Sequence, residues 1–192
     1  AQFPLHFQLA RLPPGMNPKF ILIHGNGGGN SNDCWLPYVE HELTSLGLEV
    51  INRNFPDAVQ ARAKYWLPFI DELGADANTV IIGHSSGAVA ALRYAETHQL
   101  LGSVLVGACY TDLGEASERV SGYYGHPWDW EAIHAHQRFI HLYASPTDPF
   151  IPIAEPRFIA KQLKPKYFEL SHRGHFQDLK LPALSKNLKK EL

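Results

Sequence analysis

The sequence predicts an α/β fold of about six mostly parallel strands with helices on both faces, and three observations point to it. Short apolar runs recur along the chain and most are continuous rather than alternating, as expected for strands covered on both sides. Segments with three-to-four spacing of apolar residues lie between them. The two patterns alternate to the end of the chain, which favours a parallel sheet with right-handed crossovers.

Taken in order, the strands expected are Phe20–His24, Leu48–Asn52, Thr79–Gly83, Gly102–Ala108, Phe139–Tyr143 and Lys166–Leu170. Leu36, Val39, Leu43 and Leu46 space the first helix, and Ala58–Leu73 reads as the second, with Pro68 expected to kink it. Small residues from Ala88 onward form a third, while Ile153–Leu163 and Leu181–Leu192 supply the last two. Tyr110–Trp130, rich in Gly, Ser and aromatics, breaks the rhythm and is expected to be a loop over one sheet edge. In such a sheet, function belongs where loops leave the carboxyl ends of the strands.

The chain has 192 residues, 45% of them hydrophobic, enough to bury a sizeable core without metals or disulfides. With 17 basic and 19 acidic side chains its net charge is −2, which gives no field drawing it to nucleic acid or anionic lipid. Cys34 and Cys109 are the only cysteines, too few for a disulfide scaffold or a four-thiolate zinc site. A reduced intracellular setting, the cytoplasm, is expected. No apolar run approaches the ~18 residues of a membrane span, and residues 1–15 lack the flank and core of a secretory signal. Met16 is the only methionine, so residues 1–15 read as an added leader or a surface arm, and residues 16–192 as one domain.

Gly83-His84-Ser85-Ser86-Gly87 joins an apolar strand to a helix of small residues. A nucleophile elbow demands this layout, because its serine sits on a tight turn where side chains two residues away on either side would strike backbone. Ser85 is central and Ser86 offers a backbone N–H at the positive end of the helix, one donor of an oxyanion hole. The bland alternative is an ordinary N-cap serine. After strand Phe20–His24, Gly25, Gly27, Gly28 and Gly29 let backbone approach a ligand, and Asn26 or Gly27 is expected to supply the second donor. The same glycines raise nucleotide binding as a rival. No Gly-Lys-Ser/Thr follows, however, and Asn30 stands where the third glycine of a dinucleotide fingerprint belongs.

A serine becomes nucleophilic when a histidine takes its proton, and an acid must hold that histidine's tautomer. Of the eleven histidines, His172 and His175 alone follow the last strand; His175 is preferred, since Gly174 lets the turn fold back and Phe176 can anchor it. Asp148, after strand Phe139–Tyr143 and between Pro146 and Pro149, is the expected acid, with Asp112 its competitor. His134 and His136 would point to different faces of a helix and make a poor metal pair, so neither metal nor cofactor is expected. Trp35, Tyr123, Tyr124, Trp128, Trp130 and Phe150 lie in loops near this site, and Trp35, Tyr124, Trp128 and Phe150 are the expected substrate contacts. Trp66 is expected to pack a helix.

The segments GNGGG (25–29), WLPF (66–69), IIGHSSGA (81–88), RYAETH (93–98), SGYY and PW within 121–128, DPF (148–150) and GHFQ (174–177) resemble, in order, the small serine hydrolases related to retinoblastoma-binding protein 9. The resemblance runs from about Phe20 to the C-terminus. It implies a compact α/β-hydrolase fold without a large cap domain, with Ser85, Asp148 and His175 as its triad, and it leaves residues 1–15 without a counterpart. The retinoblastoma-pocket motif L-x-C-x-E would fall at Leu73-Gly74-Ala75-Asp76-Ala77, where both cysteine and glutamate are missing, which argues against a retinoblastoma-type partner.

The expected activity is therefore hydrolysis of a small ester or amide, aminoacyl or short-peptide substrates included, through an acyl-enzyme. The alternative is a protein-interaction module on a hydrolase fold with weak or lost catalysis.

Overall fold

A computed structural model describes Leu12 and residues 16–192. The expectation of a leader or arm over residues 1–15 therefore falls, apart from Leu12, outside the described residues. Strands β1 (Lys19–Ile23), β2 (Glu49–Asn52), β3 (Thr79–His84), β4 (Gly102–Val106), β5 (Phe139–Ala144) and β6 (Lys166–Glu169) form one sheet in the order β2-β1-β3-β4-β5-β6. Every neighbouring pair is parallel.

The continuous apolar runs resolve into two cores with the strand period of two. Ile21, Ile23, Ile81, Leu105, Ile140 and Leu142 face one side, where they meet α2 (Ala63–Glu72), α3 (Ser86–Ala95), α5 (Trp130–Ala135) and α6 (Ala154–Leu163). Phe20, Leu22, Val80, Ile82, Val104, Val106 and Tyr143 face the other, beneath α1 (Leu36–Thr44) and α7 (Pro182–Lys189). Each of these side chains is fully buried or nearly so, a gain of about 1.5–3 kcal/mol apiece before chain entropy is counted. No helix among the described residues is long and apolar enough to cross a membrane.

Two expectations shift. The helix expected from Ala58 begins at Ala63, because Asp57 and Ala61 take φ of 52° and the Asp57 carboxylate accepts the Arg62 N–H at 3.0 Å, closing a turn first. Pro68 does not interrupt α2; it sits on the exposed side, where water can satisfy the carbonyl its missing N–H leaves free. Within the long segment 110–130 lies one short helix, α4 (Ala116–Arg119). The second half of that segment is fixed by buried Arg93 of α3, which donates to the carbonyls of Tyr123, His126 and Pro127 and pairs with Glu96 at 2.9 Å. The Trp128 ring covers the guanidinium at 3.5 Å.

Candidate active site

From β1 the chain runs outward to β2 at one edge, then returns to place β3 on β1's other side. Strand order therefore reverses between β1 and β3, and the crevice above their carboxyl ends is where such sheets bind ligands. The loops after these two strands touch there: a Cβ on Gly25 would lie 3.5 Å from the Cβ of Ser85.

Ser85 takes φ 56° and ψ −115°, a conformation that non-glycine residues rarely adopt and that costs on the order of 1–3 kcal/mol. It is held there at both ends, its N–H donating to the Val106 carbonyl at 2.8 Å and its own carbonyl accepting from Ala88 at 3.0 Å. The flanking glycines have a steric cause. A Cβ on Gly83 would come within 2.4 Å of the Gly87 carbonyl, and one on Gly87 within 2.4 Å of the Ile23 carbonyl oxygen. No side chain fits at either place. Ser86 opens α3, so its N–H belongs to the unpaired first turn at the positive end of the helix.

The glycine loop after β1 is tied from below by His24. The Phe55 N–H donates to His24 Nε2 at 2.9 Å, so that nitrogen carries the lone pair and Nδ1 carries the proton, which goes to the Gly25 carbonyl at 2.7 Å. Burial holds this imidazole's pKa below its ordinary value, in keeping with the neutral form these two bonds require. The Gly27 N–H donates to the Val59 carbonyl at 2.9 Å and Gly28 to Ala58 at 3.1 Å. Gly27 is thereby committed elsewhere and is not free to hold an oxyanion; of the two donors left open by the sequence, Asn26 is the one whose N–H has no partner among the described residues.

His175 and Asp148 form the tightest polar pair at the site, Nδ1 to Oδ2 at 2.7 Å, with both side chains nearly buried. The second carboxylate oxygen, Oδ1, accepts the N–H groups of Phe150 and Ile151 at 2.9 and 3.0 Å, which fixes its plane. A carboxylate only accepts, so His175 Nδ1 carries a proton and Nε2 of the neutral ring keeps its lone pair. The loop bearing His175 is held by Ser145 and Thr147, whose hydroxyls accept the N–H groups of Arg173 and Gly174 at 3.0 Å each, and by Phe176, buried in the second core. Gly107 passes directly beside this pair: a Cβ there would lie 3.2 Å from His175 Cε1. Among the described residues no hydrogen bond joins the Ser85 hydroxyl to His175, although both line one cleft. Asp112 instead closes its own turn, accepting from Gly114 at 2.8 Å and Arg119 at 3.2 Å, and His172 lies exposed.

The cleft has a volume of about 920 Å³. Of the aromatics expected in its wall, Phe150 is there, 59% exposed and edge-on to His175 at 5.2 Å. Trp35, Tyr124 and Trp128 are not. Trp35 is wholly buried and packs on His84, Tyr124 bonds to Cys109 Sγ at 3.1 Å, and Trp128 stacks on Trp130 while its indole N–H donates to the Tyr110 carbonyl. In their place stand four carboxylates that sequence reasoning did not single out: Asp33, Glu115, Glu118 and Glu155. No lysine or arginine lines the cleft among the described residues. Glu155 is 7% exposed and anchored by the Thr111 N–H at 3.1 Å. Its sequence signal was only that it opens a helix just after Asp148, which does not distinguish it from an ordinary first-turn acid. Among the described residues no group of three or more His, Cys, Asp or Glu side chains could hold a metal ion.

A family model described as serine hydrolase matches residues 20–180. A rat protein named serine hydrolase RBBP9 is 42% identical over 177 residues, covering 91% of this chain and 95% of that protein. The solved structure of the ydeN gene product of Bacillus subtilis superimposes with a TM-score of 0.83 at 24% identity, covering 91% of this chain and 98% of that one. Est1E from Butyrivibrio proteoclasticus does so with a TM-score of 0.71 at 14% identity, covering 92% and 87%.

Proposed function

This chain belongs to the serine hydrolase family and has a compact α/β-hydrolase fold, and on that premise we propose that it hydrolyses small esters or amides by a Ser85–His175–Asp148 triad. The observation that carries this reading is the 2.7 Å contact between His175 and Asp148, whose free imidazole nitrogen shares a cleft with a serine strained onto an elbow. Ser85 Oγ attacks the substrate carbonyl carbon while His175 Nε2 takes its proton; Asp148 stabilises the imidazolium. The carbonyl π electrons move onto oxygen, and the N–H groups of Ser86 and Asn26 hold that oxyanion. Collapse expels the alcohol or amine, which takes the proton from His175, and leaves an acyl-serine. Water then repeats the sequence and frees the acid. Nucleophile–base contacts are commonly looser without substrate than in the Michaelis complex, so the Ser85–His175 bond closes on binding.

The carboxylate lining supports acyl groups that carry a cation, above all the free α-ammonium of an aminoacyl ester, amide or short peptide, over acyl groups that are themselves acids. The size of the cleft fits such substrates.

The test is a pair of matched ethyl esters, an amino acid with its amine free and the same compound N-acetylated. The free amine should be cleaved with at least about tenfold higher kcat/KM, one such step being worth ~1.4 kcal/mol, and Ser85→Ala should abolish both reactions. Equal rates for the two esters would overturn the substrate class alone, whereas hydrolysis that survives Ser85→Ala would overturn the triad.

A further inference from the structure

We infer that Glu118 is a positioning residue for the oxyanion site, bracing the Asn26 peptide through a side-chain strut from the opposite wall of the cleft. The inference rests on the reading above, in which the Asn26 N–H is an oxyanion donor.

The glycine loop has little stiffness of its own. Gly27 and Gly28 take φ of 70° and 87° with nothing near them on the side where a Cβ would stand, so the loop's shape is imposed from outside. Three ties impose it. His24 holds the Gly25 carbonyl from beneath, and the carbonyls of Val59 and Ala58 hold the N–H groups of Gly27 and Gly28. Neither grips residue 26 itself. The third tie does: Asn26 Nδ2 donates to Glu118 Oε1 at 2.8 Å, across 92 residues of sequence. A carboxylate cannot donate, so the amide must turn its nitrogen toward Glu118, and the orientation follows from chemistry.

The other end of the strut is itself secured. The Glu118 carbonyl accepts the Ser121 N–H at 3.1 Å, and the Ser121 carbonyl accepts the Ala63 N–H of α2 at 2.8 Å. The second carboxylate oxygen of Glu118 faces the Tyr124 hydroxyl at 3.4 Å, and that hydroxyl meets Cys109 Sγ, just beyond β4. Residue 26 is thus referred to the core through α4. An oxyanion donor acts only if it is fixed where charge will develop, and a displaced donor loses its effect without weakening ground-state binding to the same degree. The signature is loss in kcat with little change in KM.

The experiment uses a neutral p-nitrophenyl ester, so that the charge of Glu118 has no partner on the substrate, with Asn26→Ala, Glu118→Ala, the double variant and Glu118→Gln. Asn26→Ala keeps the backbone N–H and removes only the strut. Each alanine variant should lower kcat about tenfold with KM within about twofold, and the double variant should be no worse than either single one, since both break the same contact. Glu118→Gln, whose amide oxygen can accept the same bond, should recover most of the loss. Multiplicative losses in the double variant, an unchanged kcat in Glu118→Ala, or a Glu118→Gln variant as impaired as the alanine one would each overturn the proposal. If Glu118→Ala does not fold, Asn26→Ala compared with wild type decides the matter alone: unchanged kcat overturns the strut. Failure of the proposed Ser85 hydrolysis itself looks different, because wild type would then not react with a fluorophosphonate at Ser85 at all.

Discussion

The imidazole of His84 donates its Nε2–H to the main-chain carbonyl of His175 at 2.8 Å, with the two rings 5.1 Å apart. The residue that precedes Ser85 is thereby joined directly to the proposed base. Asp148 fixes the ring of His175, and His84 fixes its backbone. Replacing His84 by leucine leaves a carbonyl unsatisfied beside a void, and should lower kcat about tenfold while destabilising the protein by ~1–3 kcal/mol. His84→Gln, which can still donate, should lose less of both. Steady-state kinetics and urea unfolding of the two variants check this.

The same residue makes stability fall in acid. Burial, reinforced by the nearby charge of His175, pushes the His84 pKa down to about 4. Above the unfolded value of 6.5 neither state binds the proton, and the contribution is fully present. As pH falls from 6.5 towards 4 the unfolded chain takes up a proton that the folded chain refuses, so stability is lost over that window, by about 3 kcal/mol in all. Unfolding free energies of wild type and His84→Gln measured between pH 7 and 4 should therefore approach each other and then cross, because the loss of about 3 kcal/mol in wild type exceeds the cost of the glutamine at neutral pH.

Gly83→Ala and Gly87→Ala should each prevent folding or cost more than ~3 kcal/mol, because the added carbon meets backbone atoms that cannot turn aside. Gly114→Ala is the control. Gly114 has a positive φ, 74°, which Gly83 and Gly87 do not, but it stands in open space, so it should cost only about 1 kcal/mol. Thermal melting of the three variants separates steric collision from backbone strain.

At Gly107 the balance differs. An alanine Cβ would press on the His175 ring at 3.2–3.3 Å, close enough to move it by a few tenths of an ångström. Gly107→Ala should therefore fold, with about 1 kcal/mol lost to its φ of 66°, yet lose at least about tenfold in kcat because the proposed base is displaced. A variant as active as wild type would show that the ring has room the structure does not give it.

These residues also show how far the sequence could be read. The strands were legible within a residue or two because the four central ones are buried apolar runs while the edge strands β2 and β6, only partly buried, are short runs bracketed by helices, and their parallel pairing followed from the helices between them. The loop positions of residues 85, 148 and 175 were legible because chain order assigns each to a strand end. The cleft wall was not. Trp35, Tyr124 and Trp128 carry the same apolar surface whether they face substrate or core, and only tertiary contacts with His84, Cys109 and Arg93 turn them inward. Nor could spacing separate Asn26 from Gly27 as the proposed donor, since the Gly27 N–H is taken up by the Val59 carbonyl, which arrives from a loop more than thirty residues away. The start of α2 was misplaced for a similar reason: Ala58–Gln60 lie inside a turn that Asp57 closes onto Arg62, and the helix begins only after it.

The most direct test of the account is covalent labelling with a fluorophosphonate, followed by mass mapping of the modified peptide. Wild type should carry one label on Ser85, Ser86→Ala should carry it too, and Ser85→Ala should carry none. Equal labelling of wild type and Ser85→Ala, or no labelling of folded wild type, would contradict the assignment of Ser85 as the nucleophile.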